Sequence, residues 1–73
     1  VRHNMKIIVV HDKYSNEPII INTSAINAIR KAFDETDKGK KEYSEIWAKS
    51  FVYPVKESIG AVMMKIKKAE SEE

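Results

Sequence analysis

Cysteine is absent from the 73 residues, which removes disulfides, thiolate metal ligands, iron–sulfur clusters and thiol nucleophiles together. Glycine occurs only at the isolated Gly39 and Gly60, so no glycine-rich loop can cradle a phosphate. Apolar runs stop at four residues (Ile7–Val10 and Ala61–Met64), against the ~20 that span a bilayer. Nor does the sequence open on a basic stretch followed by the roughly 7–15 apolar residues of a secretory signal, so a cytoplasmic setting is expected. Hydrophobic residues at 42% against 33% charged place the chain among folded domains rather than disordered ones. At this length one domain is expected, with a core worth only roughly 3–5 kcal/mol. It should run over residues 5–69, with flexible ends at 1–4 and 70–73; Met5 reads as a natural start.

The formal charge of +2 is unevenly spread. Residues 1–37 balance, while residues 38–68 carry eight lysines against Glu42, Glu45 and Glu57. Glu70, Glu72 and Glu73 follow, at the helix end whose dipole favours cations.

Lys6 to His11 is dense in β-branched residues, whose stiff χ1 suits a strand, and Ile19-Ile20-Ile21 repeats that chemistry after the turn formers Tyr14 to Pro18. The two read as an antiparallel hairpin. Residues 22–37 are ambiguous. Asn22-Thr23-Ser24 can cap a helix carrying Ile26, Ile29, Ala32 and Phe33, and local propensity favours that. The same residues also fit a turn at 22–25 and a strand over 26–33. Asp34 to Lys41 holds no apolar residue and reads as a loop. Tyr43 to Val55 reads as two strands divided near Lys49-Ser50; strict alternation would put Tyr43, Trp47, Phe51, Tyr53 and Val55 on one face, unless that turn resets the parity. Pro54, lacking an N–H, requires an edge strand or a place outside the ladder. Ile59, Val62, Met63, Ile66 and Ala69 then form the stripe of an amphipathic helix from about Ser58 to Ala69, with Glu57 and Ser58 at its start.

Val55-Lys56-Glu57-Ser58, entering an apolar-striped helix, resembles the small FlbD-type accessory proteins of bacterial flagellar and swarming operons. Ile21-Asn22 before Ile26 and Ile29 sits where that family's isoleucine-asparagine segment would lie. The resemblance spans Met5 to about Lys67 and implies a strand over 26–33, no active site, and a role exercised through partners. The chain departs from the pattern in its long charged stretch 34–42 and in having Ala48-Lys49-Ser50 where a glycine-bearing turn is expected.

No constellation for catalysis stands out. His11 reads as a surface histidine at a hairpin end. Only Asp12 or Glu17 could join it at a metal, short of the three or four ligands zinc needs. No serine lies in a Gly-x-Ser-x-Gly setting, and the carboxylates cluster among other charges rather than in apolar surroundings that would raise a pKa. An enzyme is not expected, and neither is a cofactor or a bound metal.

Aromatic and basic residues interleave most densely in the second half, where Tyr43, Trp47, Phe51 and Tyr53 alternate with Lys40, Lys41, Lys49 and Lys56. They can serve as core. They can form a protein or self-association interface, centred on Tyr43, Trp47, Lys49, Phe51, Tyr53 and Lys56. On one sheet face they could also stack single-stranded nucleic acid. The expectation is a small α+β domain, a meander of four or five antiparallel strands with one C-terminal helix. Its expected role is a non-enzymatic protein–protein interaction module, with self-association among its expected modes, and nucleic-acid binding through 38–68 as the alternative.

Overall fold

The computed structural model describes residues 6–71; expectations for residues 1–5, 72 and 73 fall outside that range. The chain is α+β, with five antiparallel strands in two sheets and a C-terminal helix. Strands β1 (Ile7–His11) and β2 (Pro18–Asn22) form the expected hairpin, Val10 facing Ile19 and Ile8 facing Ile21. Its connection is organised by Asp12, whose carboxylate accepts from the Tyr14 and Ser15 N–H groups at 2.9 and 2.8 Å. Asn16 takes φ 64 there, a conformation asparagine tolerates better than most residues.

Asn22 does act as a cap, accepting from the Ser24 N–H at 2.9 Å, but it caps a single 3-10 turn, Thr23–Ala25. Residues 26–33 belong to strand β3 (Ile26–Thr36), not to a helix, because β4 (Gly39–Ala48) pairs along its length. The expected loop over 34–41 is therefore corrected. Both strands run on to a tight turn at Asp37-Lys38, with Asp34 facing Lys41 and Glu35 facing Lys40. Cross-strand opposite charges stabilise such a polar ladder. At the tip, Gly39 takes φ 115, where a side chain would be strained, and the Thr36 hydroxyl donates to the Gly39 carbonyl at 2.7 Å.

β5 (Phe51–Val55) completes a β3-β4-β5 meander after the expected turn at Lys49-Ser50. It is the edge strand that Pro54 requires. The Pro54 carbonyl points away from β4 and accepts from the Lys13 N–H at 2.9 Å, so the missing N–H on the same side removes nothing from the ladder. The end of β1 lies along that edge, with Asp12 bridged to Val55 and the Lys56 N–H donating to the His11 carbonyl. The two sheets are joined there.

Directly paired residues share a sheet face, so the registers define an inner side. Ile8, Val10 and Ile21 from one sheet meet Ile46, Ala48 and Val55 from the other, and Val62 of helix α1 (Ile59–Ser71) closes over them. Ile66 and Ala69 pack at the margin of this core. Met63, expected in the stripe, instead lies 53% exposed, because the helix presents only a narrow face to the sheets. Ser58 caps α1 by accepting from the Ala61 N–H at 3.2 Å, and Glu42 of β4 reaches the Ile59 N–H at 3.3 Å. The helix dipole favours the Glu42 carboxylate there.

Candidate functional site

The β4–β5 register separates the interleaved aromatics. Trp47 faces Val52 on one side and Ala28 on the other, a cross-strand row through all three strands on the outer face. Ala28 is exposed, Trp47 is 40% exposed and Val52 41%. Tyr43 shares Trp47's parity and lies half-buried beneath the Lys13 ammonium, 4.3 Å from its ring centroid. Phe51 pairs with Ala48 and Tyr53 with Ile46, so both belong to the inner face, where their rings sit 6.2 Å apart. A single face carrying Tyr43, Trp47, Phe51 and Tyr53 is thus not what forms. The two-residue turn resets the alternation.

The lysines disperse as well. Lys49 occupies the turn at φ 56, its N–H donating to the Ala25 carbonyl at 3.2 Å and to the Asn27 side-chain oxygen at 3.3 Å. A register shift between Ile26 and Ala28 leaves Asn27 unpaired in the ladder, which frees its side chain for that contact. Lys56 lies beyond β5 and donates to Asn16 at 2.8 Å.

Two polar clusters form that spacing did not disclose. In the first, Lys13 pairs with Asp34, and its ammonium lies over the rings of Tyr14 and Tyr43. The Asp34 carboxylate holds the Lys13 pKa above its usual range. This contact ties the β1–β2 connection to the β3–β4 hairpin.

In the second, His11 meets Glu57, not Asp12 or Glu17. Glu57 accepts from the His11 N–H at 3.0 Å and lies 2.7 Å from Nδ1. Burial pushes the Glu57 carboxyl up, but the hydrogen bonds from the His11 ring and backbone outweigh it, and the net pKa is lowered. With Asn16 and Lys56 the pair lines an open depression of about 390 Å³. Among the described residues, His11 hydrogen-bonds through its ring to Glu57 and to no hydroxyl or thiol. Among the same residues, no three His, Cys, Asp or Glu side chains converge as a metal site would need.

Apolar surface is open at the row around Trp47, at Val9 and Ile20 facing each other on the β1–β2 hairpin, and at Met63 and Met64 of α1. No family model, curated protein or solved structure matches this chain.

Proposed function

We propose that the chain is a non-enzymatic protein-interaction module whose contact surface is the outer face of the β3-β4-β5 sheet. The observation that carries this reading is the Ala28–Trp47–Val52 row, apolar on every strand and open to solvent. Exposed tryptophan at the centre of such a patch is the usual composition of an interface anchor. Lys49 and the solvent-facing Arg30 supply a polar rim. The resemblance to FlbD-type accessory proteins points in the same direction.

The split of the aromatics between two faces counts against a stacking platform for nucleic acid. So does the placement of the charge. The β3–β4 arm from Arg30 to Glu45 is balanced, five cations against five anions. The cation excess of 38–68 that phosphate binding needs therefore falls on Lys49, Lys56 and the helix residues Lys65, Lys67 and Lys68.

Trp47→Ser tests the proposal against Lys68→Ser, a control on the distant end of α1. Both variants should keep the wild-type circular dichroism. A cellular protein retained by wild type and by Lys68→Ser, and lost by Trp47→Ser, supports the interface. Equal retention by all three would overturn it, as would tight, salt-sensitive binding of a single-stranded oligonucleotide that quenches Trp47.

A further inference from the structure

We propose that β3 is a self-pairing edge through which two copies of this chain join their sheets, antiparallel, about a two-fold axis at Phe33. This builds on the interaction-module reading by naming one partner, a second copy, at a surface separate from the Trp47 row. β3 is the longest strand, at 11 residues, and it borders β4 on one side only. Among the described residues, no backbone hydrogen bond outside the β3–β4 ladder involves 28–36. A long, unpaired edge is a template for another strand.

The side chains select both the occupant and the register. Phe33 is 54% exposed on an arm otherwise rich in charge, with Lys31 and Glu35 flanking it on the same face. Neither flanking residue takes part in an ion pair among the described residues. A two-fold axis normal to the sheet keeps each face on its own side, so facing residues share parity and the axis passes through one residue. Centring on Arg30, Lys31, Asp34 or Glu35 opposes like charges. Centring on Ala32 pairs Arg30 with Asp34, but these already have partners in Glu45 and Lys13. Centring on Phe33 sets ring against ring and Lys31 against Glu35 on both sides of the axis. That register alone uses the exposed ring and both of the flanking charges, which make no ion pair within the copy among the described residues.

The test is sedimentation equilibrium into the hundreds of micromolar, with circular dichroism confirming that each variant is folded. Wild type should dimerise with concentration. Lys31→Glu and Glu35→Lys should each weaken dimerisation about tenfold, since each sets like charges opposite one another twice. Mixing the two single variants, or combining both changes in one chain, restores every pair and should recover wild-type strength. A wild type that stays monomeric would overturn the proposal while leaving capture of a partner through Trp47 intact. Single variants that dimerise as well as wild type, or a folded double variant that does not recover, would overturn it too.

Discussion

His11 and Glu57 are 46 positions apart, and their contact links the end of β1 to the entry of α1. Because the folded carboxyl is held below its unfolded value of 4.5, its contribution to stability is complete above that value. That contribution fades as pH falls below this value and is gone once pH passes below the lowered folded value. Asp12, lowered by the Ser15 and Tyr14 backbone N–H groups, acts in the same sense at somewhat lower pH. Glu57→Gln should therefore flatten the acid side of the stability profile, read from urea midpoints between roughly pH 3 and 6. An unchanged slope would mean that the contact does not hold in solution. Lys49 calls for the opposite kind of change. Its φ of 56 is costly for a side chain and free for glycine, while the hydrogen bonds there use only its backbone N–H. Lys49→Gly should raise the melting temperature, by the equivalent of about 0.5–1 kcal/mol.

At the scale of the elements, α1 turns a narrow face inward. Val62 is fully buried while Met64 is 67% exposed, although both are apolar and two residues apart. Val62→Ala should cost about 2 kcal/mol, lowering the melting temperature by roughly 8–16 °C in a domain of this size. Met64→Ala should change it little, and thermal melts of the pair decide the matter. Both the helix and the β1–β2 hairpin were legible in the sequence because apolar residues recur there with a clear period or in dense β-branched runs. The β3–β4 arm was not. Asp34 to Lys41 carries no hydrophobic period, and which opposite charges face each other across it becomes visible only once Thr36 is known to face Gly39. The Trp47 face was half legible, since alternation is readable along one strand but a two-residue turn decides which residues of the next strand join it. The His11–Glu57 pair left no sequence signal, because nothing local reports a contact between β1 and the start of α1.

At the scale of the whole molecule, the described chain measures 53 × 23 × 20 Å. Pairing about Phe33, about 10–15 Å from the tip at ~3.4 Å per residue, would place the remainder of the two copies on opposite sides of the shared strands. Small-angle scattering at high concentration should show a maximum dimension above the 53 Å expected on dilution. The division into body and arm has a consequence for how the molecule opens. Val10, Ile46, Val55 and Val62 are all fully buried in one core built from both sheets and the helix, so none of the four can be exposed without undoing the rest. Their amides should exchange with deuterium together, at the free energy of global unfolding, whereas amides from Phe33 to Lys41 should exchange early, through fraying from the tip that leaves the core closed.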